Sequence, residues 1–159
     1  MGVNMEKRHF YFVKDEFYNA LPDCYLMTNK GLEGKGGRPC HYCFESRNFF
    51  WMIPISSKVE KYRQIYESKI KKYGYCDTIR FGYVNGEKRA FLIQNCFPIT
   101  SEYIDCEYLV DKGKTPVTIS SKMSEELDKL MNKVLKLYSK GITLPLTKID
   151  KIIRFLTSK

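Results

Sequence analysis

The amino-acid sequence predicts an α+β domain built on an antiparallel sheet of about five to seven strands, strongly twisted or barrel-like, with inserted and C-terminal helices. Two observations predict this class. Short runs rich in aromatic and β-branched residues alternate with turn signals, which is typical of antiparallel strands. Other segments place apolar residues at helical spacing. The chain has 159 residues, so residues 1–159 are expected to form one domain around one core.

The first part of the chain predicts three strands and a short helix. Residues 9–13 are rich in aromatics and form the first strand. Residues 14–21 predict a helix that ends before Pro22, because proline cannot continue a helix. Residues 40–44 and 49–55 predict a hairpin. The second strand of this hairpin is almost continuously apolar, which indicates a central position in the sheet.

A longer helix and a second hairpin follow. Apolar residues recur at helical spacing over residues 59–73, and Gly74 is suited to end this helix. Residues 79–84 and 89–93 flank an Asn-Gly pair at Asn85. An Asn-Gly pair between two strand-like runs is a strong signal for a tight antiparallel turn.

The last third of the chain predicts weaker strands and two helices. Residues 97–100 contain a proline and are expected to leave the sheet near its edge. Residues 117–119 predict a short last strand. A long helix is expected over residues 122–140 with Ser121 as its N-cap. Thr147 is expected to cap the final helix, whose apolar positions recur at helical spacing.

The charge of the chain indicates a polyanionic partner. The formal charge is +9, from 27 Lys and Arg against 18 Asp and Glu. Nucleic acid fits such a surplus better than an acidic membrane surface, and simple solubility is the remaining explanation. No stretch approaches the roughly 20 apolar residues that span a bilayer. We therefore expect a cytoplasmic protein with no membrane partner and no apolar signal core.

The six cysteines do not predict a metal site. Cys40 and Cys43 form one C-x-x-C pair, but no second pair follows, and the other spacings suit no common zinc site. The thiols are expected to be reduced and mostly buried. The sequence thus predicts neither a metal nor another cofactor.

Two basic segments are candidates for chemistry on a phosphate. Ser56, Ser57 and Lys58 offer two hydroxyls and a cation where a helix begins, and a helix N-terminus suits a phosphate. The alternative is that one serine only caps the helix. Residues 29–39 hold four glycines and predict a flexible loop that lets the backbone approach a phosphate closely, although a solvated turn is the alternative. The loop lacks the pattern of a nucleotide-binding P-loop. Its cations are Lys30, Lys35 and Arg38.

Other basic residues are candidates for binding RNA. His41 could act as an acid or base, although its place in a strand-like run favours a buried, hydrogen-bonded ring. Four lysines form a stripe on the long helix predicted over residues 122–140, which we call the lysine stripe: Lys129, Lys133, Lys136 and Lys140. The stripe is either a solvated face or a surface that tracks phosphates. The residues expected to contact RNA are Lys30, Arg38, His41, Lys61, Lys69, Lys129, Lys133, Lys136 and Lys140.

The order of four segments resembles a known family. Residues 9–13 come first, Arg38-Pro39 precedes the first hairpin, and a Pro-Ile-Ser-Ser-Lys segment ends at Lys58 before residues 91–99. This order is similar to that in toxins of type III toxin–antitoxin systems, the ToxN/AbiQ/CptN family, and most of all to its CptN branch. The resemblance covers roughly residues 8–156, and the Pro-Ile-Ser-Ser-Lys segment is its most specific part.

This resemblance implies a Kid/MazF-like sheet core and a metal-independent endoribonuclease. It implies cleavage of cellular RNA at adenine-rich sites by attack of the 2′-hydroxyl, which leaves 2′,3′-cyclic phosphate and 5′-hydroxyl ends. It also implies phage defence, no DNA partner, and inhibition by a small repeated antitoxin RNA. That RNA folds as a pseudoknot, is cut from its precursor by the toxin, and closes with it into a ring-like assembly. The implied catalytic residues are Lys35, Ser56, Ser57 and Lys58, with Arg38 as the alternative loop cation.

Two other classes of function fit the same composition. A non-catalytic RNA-binding module would use the same basic surfaces and leave RNA intact. A peripheral membrane or protein-interaction domain would show no salt-sensitive affinity for RNA. The endoribonuclease is the function we expect, mostly because of the resemblance.

Overall fold

The computed structural model describes residues 4–32 and 36–158. Within these residues, a seven-stranded antiparallel sheet and four α-helices confirm the α+β class. The strands of the sheet are β1 (Phe10–Val13), β2 (Cys40–Ser46), β3 (Phe49–Ser56), β4 (Ile79–Val84), β5 (Glu87–Leu92), β6 (Phe97–Ile99) and β7 (Ile104–Glu107). A separate ribbon pairs β8 (Leu109–Val110) with β9 (Thr115–Pro116). The helices are α1 (Asp15–Ala20), α2 (Val59–Tyr73), α3 (Ser121–Ser139) and α4 (Ile149–Thr157).

The sheet is open, and β3 is its centre. The strand order is β4-β5-β3-β2-β1-β7, and in the described residues the two outer strands do not pair to close a barrel. On one side β3 pairs with β2, and on the other its two halves pair with β6 and β5. Trp51, Met52, Ile53 and Ile55 of β3 have no exposed surface. The continuous apolar run therefore predicted the central strand correctly, because both faces of β3 are covered.

Two tight turns connect the hairpins of the sheet. Asn85 and Gly86 both have positive φ, 51° and 81°, as a type I′ turn requires, which confirms the hairpin signal of the Asn-Gly pair. Between β2 and β3 the turn consists of Arg47 and Asn48, with φ of 58° and 70°. The guanidinium of Arg47 donates a hydrogen bond to the Leu135 carbonyl oxygen at 3.2 Å, which fastens this turn to α3.

The structure corrects two strand predictions and adds to the sheet one strand that was not predicted. Residues 97–100 do not leave the sheet: Trp51 of β3 is paired with Pro98 of β6. The proline is tolerated because β6 is paired only to β3, so its missing N–H lies on an edge. Residues 104–107 form β7, which pairs with β1. Their mixed polarity gives no strand signal in the sequence. Residues 117–119 form only an isolated bridge, between Thr118 and His9.

Both predicted caps of the C-terminal helices are also corrected. Ser120, not Ser121, caps α3, and its hydroxyl accepts a hydrogen bond from the Met123 N–H at 3.1 Å. Thr147 does not cap α4, which has Lys148 at its N-cap. The Thr147 hydroxyl is buried and donates to the Cys96 carbonyl oxygen at 2.6 Å. The Thr147 hydroxyl thus makes a tertiary hydrogen bond instead of the helix cap that the local pattern predicts.

The core has two parts. The larger part packs α1, α3 and α4 against the central strands. The smaller part lies under α2 and contains Tyr62, Ile79, Ala90 and Leu92. All six cysteines are free thiols and five are buried, as predicted. No helix in the described residues has the length and apolar character that crossing a membrane requires.

His41 lies in the larger core, and the structure corrects its predicted contact with RNA. Its side chain has no exposed surface, and the ring packs edge-on against Phe10 and Phe91 at centroid distances of 5.6 and 6.2 Å. Neither ring nitrogen has a hydrogen-bond partner among the described residues, so the expected hydrogen bond is wrong too. Burial, helped by the charge of Lys7, lowers the pKa of His41 to about 3.

We predict that His41 makes the fold less stable in mild acid. The unfolded chain takes up a proton at His41 below about pH 6.5, whereas the folded chain does so only near pH 3. Protonation of His41 in the unfolded chain should therefore lower the free energy of unfolding by about 2 kcal/mol between pH 7 and pH 5. Urea unfolding at both pH values should show a smaller fall for His41→Phe than for the wild type. An equal fall in both proteins would contradict the assignment.

Candidate functional site

A cavity of about 600 Å³ lies where β3 ends and α2 begins, and we call it the basic cavity. One wall is the segment 26–32, and the opposite wall is the first turn of α2. The end of β3 and the side chain of Arg38 form its base. Its charged and hydroxyl-bearing side chains include Lys30, Arg38, Ser56, Ser57, Lys58 and Lys61.

The basic cavity is positively charged. Four cationic side chains line it, and no acidic side chain stands among the described residues of its lining. The first turn of α2 adds the positive end of a helix dipole at Lys58 and Lys61. An environment of this kind attracts an anion and suits the oxygens of a phosphate group.

The two serines lie side by side but differ in exposure. Ser56 is the last residue of β3, is paired with Ala90 of β5, and is only 3% exposed. Its hydroxyl accepts a hydrogen bond from the Lys58 N–H at 3.2 Å, which fixes the turn into α2. Ser57 is exposed to the cavity. Lys58 occupies the N-cap of α2 with no side-chain cap, so Ser56 has a structural role in the turn, whereas helix capping does not explain Ser57.

Arg38 is a buried cation at the base of the cavity. Its side chain is 8% exposed, and its guanidinium donates to the carbonyl oxygens of Thr28 at 2.8 Å and Ile55 at 2.9 Å. Among the described residues no carboxylate lies within 4.0 Å of this guanidinium. A buried charge is costly without a partner of opposite charge. An anion in the basic cavity would lower that cost.

A chain of hydrogen bonds holds the loop that carries Arg38. The Asn29 side-chain oxygen accepts from the Arg38 backbone N–H at 2.8 Å, while its nitrogen donates to the Asp15 carboxylate at 2.7 Å. Gly37 lies beside the same oxygen, and a Cβ at this position would be 2.8 Å from it. Glycine at residue 37 leaves room for the side chain of Asn29, which a methyl group at this position would displace.

The structure brings together six of the predicted site residues and separates others. Lys35 lies outside the described residues. Lys69 is on a groove along α2, where its ammonium donates to the Thr78 hydroxyl at 3.1 Å. The lysine stripe is exposed on α3 and does not line the basic cavity, and its Lys133 forms an ion pair with Asp77. The six residues that share the cavity are Lys30, Arg38, Ser56, Ser57, Lys58 and Lys61.

Sequence reasoning missed residues that shape the cavity. Thr28 contributes the carbonyl oxygen that binds Arg38 and also lines the wall. Tyr62 is 5% exposed, and its hydroxyl lies 3.9 Å from the Met27 sulfur, which packs α2 against the opposite wall. Tyr62 was one of the apolar positions of the predicted helix, but a pattern within one helix does not identify the loop on which it packs.

One group of side chains in the described residues has the composition of a metal site. Ligand atoms of Glu6, His9 and Glu107 lie within 4.8 Å of one another, outside the basic cavity. His9 Nδ1 already lies 2.5 Å from a Glu107 oxygen, a direct contact between histidine and carboxylate. Cys40 and Cys43 do not belong to such a group within the described residues.

Comparison with known proteins does not assign the chain to a family. No protein-family model matches it, and a search of curated proteins finds no match.

We predict that Gly37→Ala destabilises the loop through the side chain of Asn29. The added methyl group would displace the Asn29 oxygen and weaken its bond to Arg38, lowering the free energy of unfolding by about 1–3 kcal/mol. Urea denaturation measures the change. In an Asn29→Ala background the same substitution should cost clearly less. Equal costs in both backgrounds would contradict the proposed contact.

Proposed function

We propose that this chain is an endoribonuclease that binds and cleaves RNA in the basic cavity. The observation that carries the proposal is the buried Arg38 guanidinium, which faces a cavity with three lysines, two serines and no described carboxylate. RNA supplies phosphate groups whose charge would complete this environment. The formal charge of +9 supports a polyanionic substrate on the scale of the whole chain.

The reaction we propose uses a nucleophile that belongs to the substrate. The 2′-hydroxyl of the RNA attacks the neighbouring phosphorus, a bond from O2′ to phosphorus forms, and the bond to O5′ breaks. The 2′-hydroxyl loses its proton to a base, and the departing O5′ takes up a proton. The products are a 2′,3′-cyclic phosphate and a 5′-hydroxyl. The protein therefore has to align the phosphate, move two protons and stabilise negative charge on the phosphate oxygens.

Four residues of the basic cavity have a part in this reaction. The exposed Ser57 hydroxyl donates a hydrogen bond to a phosphate oxygen, and the ammonium of Lys58 stabilises the negative charge that develops there. Ser56 holds the turn through its bond with the Lys58 N–H. Arg38 fixes the base of the cavity and adds charge. Proton transfer from the 2′-hydroxyl is assigned to Lys35 or Lys58, and the other of these two lysines then stabilises the phosphate.

The choice of donors supports a reaction driven by the protein's own cations. The described lining of the basic cavity offers no carboxylate and no imidazole, the side chains that usually hold a catalytic divalent ion. Lysine, arginine and hydroxyl groups instead bind the phosphate directly. We therefore propose that cleavage proceeds without a metal ion.

We extend the proposal to a biological role through the motifs of the sequence. The Pro-Ile-Ser-Ser-Lys segment that ends at Lys58 lies at the basic cavity, and it resembles the corresponding segment of type III toxins. On this basis the substrates are cellular RNAs cut at adenine-rich sites. The inhibitor is a small repeated antitoxin RNA that folds as a pseudoknot and closes with the toxin into a ring-like assembly in the cytoplasm.

We predict that Ser57→Ala lowers the cleavage rate by about a hundredfold or more, because a hydrogen bond to the charged phosphate is lost. RNA binding should persist, since the cations remain. An adenine-rich RNA oligonucleotide incubated in EDTA, with detection of 2′,3′-cyclic phosphate ends, measures the rate. Ser101→Ala is the matched control, an exposed serine outside the cavity.

Three results would change the assignment. Full cleavage by Ser57→Ala would remove this residue from the site. Intact RNA with the wild-type protein, together with salt-sensitive binding, would instead favour the non-catalytic RNA-binding module. No salt-sensitive affinity for RNA would contradict both functions.

We further predict that Lys30 and Lys61 contribute to RNA affinity through phosphate contacts. The logarithm of the association constant for single-stranded RNA falls with the logarithm of salt concentration by about 0.7 for each phosphate contact. Lys30→Gln and Lys61→Gln should each lower this slope by about that amount, measured by fluorescence anisotropy. Lys114→Gln, on an exposed turn, is the control and should keep the slope. Unchanged slopes in both cavity variants would contradict the contacts.

A further inference from the structure

A second cavity, of about 280 Å³, lies on the other side of the segment that carries Arg38. Its walls combine two aromatic rings, two aliphatic surfaces and two polar side chains. The backbone of Gly36 and Gly37 completes the lining. The side chains that carry the argument are Phe12, Leu32, Pro39, Asn85, Arg89 and Tyr108.

The second cavity and the basic cavity share one thin wall. Arg38 lines the basic cavity, whereas its two chain neighbours, Gly37 and Pro39, line the second. This is the pattern of an extended segment, whose successive residues face opposite sides. Leu32 lines both cavities.

The sheet provides a second connection between the two cavities. Ser56 of the basic cavity is paired with Ala90 of β5, and the preceding residue of β5, Arg89, lines the second cavity. The two cavities therefore border each other at Leu32, at residues 37–39 and across this pair of strands.

The chemistry of the second cavity suits a flat ring with polar edges. The rings of Phe12 and Tyr108 have their centroids 5.4 Å apart at an interplanar angle of 59°, and both side chains are partly exposed. Aromatic and aliphatic surfaces favour the face of a nucleobase, and stacking of this kind is common in proteins that bind single-stranded RNA. The volume is just below that of pockets for drug-sized ligands, so one ring system fits.

The polar side chains are placed to meet the edge of such a ring. Asn85 is the first residue of the type I′ turn between β4 and β5, with φ of 51°. Its amide offers both donors and an acceptor, the set with which asparagine recognises a base edge. Arg89 adds positive charge to the lining.

We propose that the second cavity is a base pocket, which binds one unstacked nucleobase of the RNA whose phosphate lies in the basic cavity. This inference rests on the proposed function, since it assigns the choice of cleavage sequence to residues outside the catalytic group. Phe12 and Tyr108 hold the face of the base, and Asn85 reads its edge. The base pocket then determines where the RNA is cut, while the basic cavity cuts it.

The first test replaces Asn85 with aspartate. Asn85→Asp keeps a residue that tolerates positive φ but exchanges an amide donor for a carboxylate. Cleavage of a set of RNA oligonucleotides that differ in one base beside the scissile bond should show a base preference in the wild type. The preference at one position should change by about tenfold or more in Asn85→Asp. Asn132→Asp makes the same chemical change on the exposed face of α3 and should leave the preference as it is.

The second test measures the stacking directly and does not depend on cleavage. The fluorescence of 2-aminopurine, placed at each position of a short RNA in turn, reports stacking of that base on binding. At one position the fluorescence should change on binding to the wild type. Binding to Tyr108→Phe should give the same change and binding to Tyr108→Leu should not, because only the first variant retains an aromatic ring.

The outcomes separate the base pocket from the proposed function. If the wild type binds RNA without cutting it, the cleavage proposal fails, and the 2-aminopurine signal alone decides on the pocket. If cleavage occurs but Asn85→Asp and Tyr108→Leu both keep the wild-type preference, the base pocket is overturned while the endoribonuclease stands. A fluorescence change that Tyr108→Leu retains at every position also overturns the pocket.

Discussion

The candidate site depends on the way in which the buried guanidinium of Arg38 is bound. It joins the Thr28 carbonyl oxygen of one wall to the Ile55 carbonyl oxygen at the end of β3. Two neutral carbonyls hold the side chain in place but do not neutralise its charge. The contact that shapes the basic cavity is therefore also the source of its preference for an anion. Arg38 thus both shapes the basic cavity and supplies part of its positive charge.

Strand β3 connects the core to the chemistry that we propose. Its side chains from Trp51 to Ile55 are buried, and the next residue, Ser56, is the first that lines the basic cavity. The same residue is paired with Ala90, next to the Arg89 of the base pocket. Central strands are held on both sides, so residues at their ends have well-defined positions. The end of this central strand thus positions Ser56 in the basic cavity and pairs it with the strand that contributes Arg89 to the base pocket.

Sequence patterns predicted an element correctly where its structure depends on a single segment. The helix over residues 59–73 and the Asn85 turn needed only spacing and turn chemistry, and both are confirmed. The same kind of pattern failed where the outcome depends on a contact with a segment distant in sequence. Residues 97–100 were expected to leave the sheet, yet Pro98 of the edge strand β6 is paired with Trp51. The hydroxyl of Thr147 is bonded to the Cys96 carbonyl oxygen rather than to its own helix.

The sequence by itself determined the α+β class, the surplus of positive charge, and the adjacency of Ser56, Ser57 and Lys58, because each follows from composition or neighbouring residues. Only the tertiary structure decided which cations converge on these residues. Arg38 and His41 are both basic and close in sequence, but one borders a cavity and the other is enclosed between Phe10 and Phe91. The physical reason is that burial depends on what packs from distant segments, which no local pattern contains.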